Sequence, residues 1–236
     1  MSKPDIILKA VDLKKSFGPT PALQGAELEV ARGEIVAIMG PSGSGKSTLL
    51  HCLAGIFKPD NGEVWFNSKR LDQFDETQRT KLRRTAFGFV FQFGQLVPEL
   101  SAEDNIALPL LFNATDRKTA YAKATEWLQR LGLQDMAKRR SGELSGGQAQ
   151  RVALARAMVT DPGVVFADEP TGALDSFNGE KVMDLLVGIA REHDTTVVIV
   201  THDARVAANA DREVVVRDGK VTTPGPGRKD AVRVVA

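Results

Sequence analysis

The stretch Gly40-Pro41-Ser42-Gly43-Ser44-Gly45-Lys46-Ser47-Thr48 constrains the fold more than any other part of this chain. It has the G-x-x-x-x-G-K-S spacing of a phosphate-binding P-loop. Its context fits as well as its letters. Residues 34–39 before it form a short apolar run that reads as a buried parallel strand. Residues 48–54 after it read as a helix, with Gly55 placed to stop it. A strand that turns sharply into a helix leaves backbone N–H groups pointing out of the loop, an anion-sized nest at the positive end of the helix dipole. Gly40, Gly43 and Gly45 let the backbone approach a phosphate with no Cβ in the way. Lys46 adds a full positive charge, worth about 4 kcal/mol against an anion ~4 Å away at an effective dielectric of ~20. Ser42 belongs to the same cradle. The Ser47 hydroxyl suits a hard cation such as Mg²⁺, and Thr48, next in the run, is better suited to packing or capping than to ligation.

The rest of the composition narrows the class. The 236 residues suffice for one large or two small domains, and 42% hydrophobic residues is ordinary for a soluble chain. A net charge of +1 gives no electrostatic case for a nucleic-acid partner. A single cysteine excludes an intrachain disulfide and suits a reducing compartment; Cys52 falls on the apolar part of the P-loop helix and reads as a buried thiol. The first residues hold no apolar signal-peptide core. No apolar stretch approaches the ~18 residues of a membrane span, so any membrane role must come through a partner.

Read in order, the chain predicts an α/β protein. Residues 6–11 and 26–30 read as strands, with 14–18 as an exposed loop holding Phe17. Asp60-Asn61-Gly62 is a turn signal ahead of a strand at 63–66, so an antiparallel β portion surrounds the start of the core. Residues 73–84 read as a short helix or a solvated loop, and 87–91 as a strand ending at Gln92. From 93 to about 141 strand signals vanish. Ser101-Ala102-Glu103-Asp104 looks like a helix start, and Tyr121, Ala124, Leu128 and Leu131 fall at helical spacing before Gly132. This block, about 93–160 once the following helix is included, reads as a helical subdomain inserted in a single domain spanning 1–236. Strand signals return at 164–167 and 196–200 around an amphipathic helix, which implies a parallel, doubly wound P-loop core. Asp218-Gly219 suggests a last hairpin, and the basic, Pro/Gly-rich stretch 224–236 a mobile tail.

Two further strands end in chemistry. Residues 164–169 are apolar up to the carboxylates Asp168 and Glu169. Ligands of open α/β sheets sit at the C-terminal strand edge, where the P-loop also lies. Asp168 can therefore reach a Mg²⁺ held by Ser47, and Glu169 can polarise a water attacking a γ-phosphate; the plainer alternative is a solvated acid pair. The strand at 196–200 ends in Thr201-His202-Asp203 at the same edge, where His202 can hydrogen-bond a phosphate or the attacking water. His51 and His193 lack such a setting. Leu144-Ser145-Gly146-Gly147-Gln148 opens a long helical pattern with a second anion nest. One cradle suffices for one nucleotide, so a second needs an explanation.

In this order, residues 40–48, Gln92, 144–148, 164–169, Ala173-Leu174-Asp175 and His202 resemble the ATP-binding subunit of ABC transporters, over about residues 5–222. The resemblance implies a head-to-tail dimer of two copies of the chain, each ATP held between one P-loop and the partner's signature. Ser145 and Gly147, with Gly146 and Gln148 beside them, would then grip the γ-phosphate bound to the partner. It implies that Gln92 contacts Mg²⁺ and the attacking water and senses a membrane subunit, that Asp175 organises the dimer interface, and that His202 is a switch histidine. It also implies an aromatic stacked on adenine. Phe17 matches that position, with a core phenylalanine as the alternative.

Residues 91–110 and 168–175 are similar, more narrowly, to the macrolide-efflux and lipoprotein-release branch. Ala149 and Ser141-Gly142 depart from its usual letters. The resemblance implies an ATPase at the cytoplasmic face of the cell membrane, peripheral through an integral-membrane permease, that drives export or lipoprotein or peptide extrusion. A transmembrane signalling or cell-wall-remodelling actuator that moves no solute is the alternative. The permease would dock in a groove near Gln92 to Asn105, where Phe93, Leu96, Val97 and Leu100 either line the groove or are local core.

Overall fold

The computed structural model describes residues 5–222. The expected tail at 224–236 lies outside the described residues. The chain opens with a long hairpin, β1 (Ile6–Phe17) and β2 (Thr20–Ala31), and then runs through β3 (Ile35–Met39) into α1 (Lys46–Leu53). β4 (Asn61–Phe66) and β5 (Lys69–Arg70) lead to α2 (Glu76–Thr85) and β6 (Phe87–Phe91). Three helices follow, α3 (Ala102–Phe112), α4 (Arg117–Arg130) and α5 (Gly146–Met158). The core then resumes with β7 (Val164–Asp168), α6 (Ser176–Glu192), β8 (Thr196–Val200), α7 (Ala204–Ala207), β9 (Arg212–Arg217) and β10 (Lys220–Thr222).

The strands form two sheets. One is antiparallel, in the order β2-β1-β4-β5. The other has the order β10-β9-β3-β8-β7-β6, and every pair in it is parallel except β9 with β10. The central strands are apolar on both faces because both are covered. Val165, Ala167, Val197 and Ile199 pack with the helices α3 to α6. The alternate residues Val164, Phe166, Val198 and Val200 pack with α1 and the antiparallel sheet. This two-residue alternation sends successive side chains into two separate cores and fixes the sheet as the middle layer.

The inserted helical block is present as expected. Ser101 caps α3: its hydroxyl accepts from the N–H of Asp104, whose carboxylate reaches back to the Ser101 N–H. Of the two readings for 73–84, the helix is found, with Asp75 and Gln78 forming a capping box at its start. Two local expectations change. Residues 14–17 are not a loop but the end of β1, paired with β2 through Lys15↔Leu23 and Phe17↔Thr20. Asn61-Gly62 is not a turn but the start of β4. Gly62 has a φ of 93°, and a Cβ there would run into the Asp12 carbonyl. Its glycine serves a close approach to the irregular part of β1, where the register with β4 shifts between Val11 and Lys14.

Candidate functional site

The P-loop leaves β3 and closes on α1 as its sequence requires. Gly40 has a φ of 142°, and a Cβ there would strike the Val216 carbonyl of β9. The loop is also tied from the far end of the chain, since the Gly219 N–H donates to the Ser44 carbonyl at 3.0 Å. Lys46 is 9% exposed, and its ammonium donates to the Pro41 carbonyl at 2.8 Å, which holds the charge across the loop. The Ser44 hydroxyl is buried with no partner, a polar atom at the loop that a phosphate oxygen suits. Ser42 and Gly43 are exposed at the rim, and Thr48 is half-buried in the first turn of α1.

Ser47 and Asp168 meet as expected: the Ser47 hydroxyl donates to Asp168 Oδ1 at 3.2 Å. Burial pushes the Asp168 carboxyl up from the ordinary carboxylate range, against the Ser47 hydrogen bond that pulls it down. A desolvated carboxylate beside a hydroxyl is an all-oxygen donor pair of the kind a hard cation takes. Among the described residues no three His, Cys, Asp or Glu converge as a metal cage. Two protein oxygens with phosphates completing the shell is the arrangement Mg²⁺ favours.

One residue beyond β7 the backbone reverses. Glu169 has a φ of 48°, held by its N–H donating to the Val200 carbonyl at 2.9 Å and its carbonyl accepting from Gly172 at 3.0 Å. Its carboxylate turns to the neighbouring strand end. Oε2 accepts from the Thr201 hydroxyl at 3.3 Å, and Oε1 lies 2.7 Å from His202 Nδ1. The His202 side chain is otherwise exposed. Gln92, at the end of β6, lies over the turn after Glu169: a Cβ on Gly172 would come within 2.8 Å of its Nε2. Gln92, Asp168, Glu169 and His202 thus share one sheet edge with the P-loop.

The signature does not join them. Ser145 caps α5, accepting from the Gln148 N–H at 3.3 Å while Gln148 accepts from the Ser145 N–H at 2.8 Å. Ser145 and Gly146 are exposed, and among the described residues no hydrogen bond or ion pair links 145–148 to residues 40–48. Its neighbours are residues 174–178 of the same chain. Gly146 packs on Leu174 and Gly147 on Asn178. Asn178 is itself held by Asp175, which caps α6 through the Asn178 N–H at 3.0 Å and its side-chain amide at 2.7 Å. Those two bonds keep the Asp175 carboxyl below its usual range.

Phe17 is 49% exposed, which sets aside the core alternative. Its ring meets Phe57 edge-on at 5.5 Å, and Phe57 meets His51 edge-on at 5.1 Å, so an aromatic chain runs from the end of β1 to the P-loop helix. Burial lowers the His51 pKa and raises that of the Cys52 thiol to about 12, which leaves both as packing residues. Near Gln92, Phe93 is 73% exposed, whereas Leu96, Val97 and Leu100 are half-buried and Leu96 packs on the helical core.

Two residues of α5 at this site are given no role by the sequence, although Gln150-Arg151 matches the usual letters of the narrower branch. Gln150 donates to backbone carbonyls at the ends of both β6 and β7. Arg156 donates to the Gly94 and Gln95 carbonyls at 2.7 and 2.8 Å, and burial lowers its pKa. The available signal was a polar residue on the buried stripe of an amphipathic helix.

Comparison with known proteins places the chain in a family. A family model described as ABC transporter matches residues 23–172. Similar relatives include the lipoprotein-releasing system ATP-binding protein LolD of Hydrogenovibrio crunogenus, 43% identical over 224 residues that cover 93% of this chain and 97% of that protein. LolD of Psychrobacter arcticus is 44% identical over 219 residues, covering 90% and 96%. Among solved structures, the dimeric post-hydrolysis ATP-binding cassette MJ0796 bound to ADP and Pi matches with a TM-score of 0.83 at 40% identity, over 92% of this chain and 98% of that one. The protein cbiO1 of Clostridium perfringens, part of the ABC transporter complex cbiONQ, matches with a TM-score of 0.83 at 32% identity, over 92% and 87%.

Proposed function

The chain belongs to the ABC transporter family as an ATP-hydrolysing subunit, and from that premise we propose that the permease it drives releases lipoproteins from the membrane. Among the described residues no helix is long and apolar enough to cross a membrane. The transporter family implies a subunit at the cytoplasmic face, peripheral through the permease. The observation that carries the mechanism is the split of the site: Lys46, Ser47, Asp168, Glu169 and His202 share one edge, while the capped, exposed Ser145 stands apart from them. A head-to-tail dimer brings the signature of one copy over the cradle of the other. This also explains why Asp175, tied to Gly147 through Asn178, lies beside the signature.

In this reading Phe17 stacks on adenine, and the 40–48 loop and Lys46 hold the triphosphate. Ser47 and Asp168 hold Mg²⁺, with Gln92 near it; when bound, the ion neutralises charge on the outer phosphates. Glu169 accepts the proton of the attacking water, and His202 orients that carboxylate from Nδ1. Exposed Phe93 marks the face toward the permease near Gln92 to Asn105. The test is reconstitution with the permease that co-purifies with this chain, in vesicles loaded with a labelled acylated protein. ATP-dependent release of the acylated protein is expected, and none with Glu169→Gln. Turnover coupled to movement of a small solute, with the acylated protein retained, would overturn the lipoprotein assignment.

A further inference from the structure

We propose that Gln150 is a positioning residue for ATP hydrolysis, its amide tying together the two strand ends that carry Gln92 and Glu169. This rests on the ATPase reading above. Gln150 is 2% exposed. Its Nε2 donates to the Phe91 carbonyl at 2.8 Å and to the Pro170 carbonyl at 2.6 Å. An amide nitrogen has two hydrogens, and both are used. Phe91 immediately precedes Gln92, and Pro170 immediately follows Glu169.

The need for such a tie follows from where β6 and β7 part. Their ladder ends at Phe91↔Asp168; the Phe91 carbonyl accepts from the Gly94 N–H at 3.0 Å as well as from Gln150, whereas among the described residues the buried Pro170 carbonyl accepts from Gln150 alone. Glu169 is also held at a φ of 48°, a conformation that costs a non-glycine residue and persists only where its surroundings enforce it. The Glu169 N–H and carbonyl are held by β8 and Gly172, and Gln150 holds the next carbonyl along. Arg156, further along α5, grips the Gly94 and Gln95 carbonyls, so the segment after Gln92 is fastened to the same helix. The chemistry at position 150 is narrow. Asparagine is one methylene short, glutamate lacks the donors, and methionine has the length but no polar hydrogen.

The test uses the full chain with its permease and measures kcat, KM for ATP and thermal unfolding. Gln150→Met leaves the buried Pro170 carbonyl without a donor and unties the Phe91 carbonyl from α5, and is expected to lower kcat by about tenfold to hundredfold, with KM within about twofold of the native value because the nucleotide cradle is untouched. Gln150→Glu gives a second readout. Its ionised carboxylate faces two carbonyl oxygens, whereas the protonated form donates to one of them. Its kcat relative to native is therefore expected to rise as pH falls. A folded Gln150→Met with native kcat, a kcat and KM that change by the same factor, or a flat relative pH profile for Gln150→Glu overturns the proposal. So does failure of both variants to fold, which would make Gln150 a core residue only. A native protein without ATP turnover would instead overturn the ATPase reading.

Discussion

Glu169 Oε1 lies 2.7 Å from Nδ1 of His202, although 33 positions separate the two residues. The contact exists because β7 and β8 are parallel neighbours that end level with one another, and because the Glu169 backbone turns its side chain toward β8. With Thr201 on the other oxygen, the carboxylate has one orientation. A base that must meet a water in line with a phosphorus atom needs that restriction.

Glu169→Gln keeps the shape and removes the charge. ATP binding should persist, turnover should fall at least about 100-fold, and the dimer should accumulate in the presence of ATP. Phosphate release and size-exclusion chromatography check this. Turnover at the native rate would remove Glu169 from its role.

Ser145→Arg should abolish hydrolysis while nucleotide still binds the monomer, because the cradle is built by other residues. A mixed dimer with Ser145→Arg in one subunit and Lys46→Ala in the other retains one intact composite site if the signature acts across the dimer. It should therefore trap a single nucleotide. If the mixed dimer traps none, the signature serves its own chain.

Asp168→Asn tests the buried carboxyl. A folded pKa above the unfolded one contributes stability below the unfolded value, and that contribution is lost as pH rises through the folded value. At neutral pH the ionised Asp168 thus weighs against the fold in the absence of nucleotide. The variant should melt higher than native at about pH 7, its advantage shrinking toward pH ~4, and it should hydrolyse no ATP. A melting temperature at or below native at neutral pH contradicts this account of the carboxyl.

Phe17→Ala should raise KM for ATP by about twofold to tenfold, the range expected from losing one aromatic stack. Phe17→Tyr should leave it unchanged. Because the ring is 49% exposed, the melting temperature should barely move. A large loss of stability with unchanged KM would return Phe17 to a packing role.

The parts legible in the sequence were those with a local signature. The P-loop, the apolar strands ending in Asp168 and Thr201, and the Ser101 and Ser145 caps are each written within a few consecutive residues. What escaped depends on distant chain. Residues 14–17 look like a loop until β2 supplies their ladder, and Asn61-Gly62 looks like a turn until Asp12 crowds it. Gln150 is one polar letter on an apolar helix face, and its two acceptors lie 59 and 20 positions away. The signature's separation from the P-loop is expected from the family resemblance, although spacing along the chain does not encode it.

The bond from Gly219 to the Ser44 carbonyl, with Gly40 nested on Val216, has a consequence for synthesis. The cradle at residues 40–48 is braced by Val216 and Gly219, far along the chain from it. A nascent chain still lacking the last hairpin holds the motif's letters without its rigid shape. Such a chain lacks the Gly219 and Val216 contacts to the loop, and is expected to bind ATP more weakly than one that carries them.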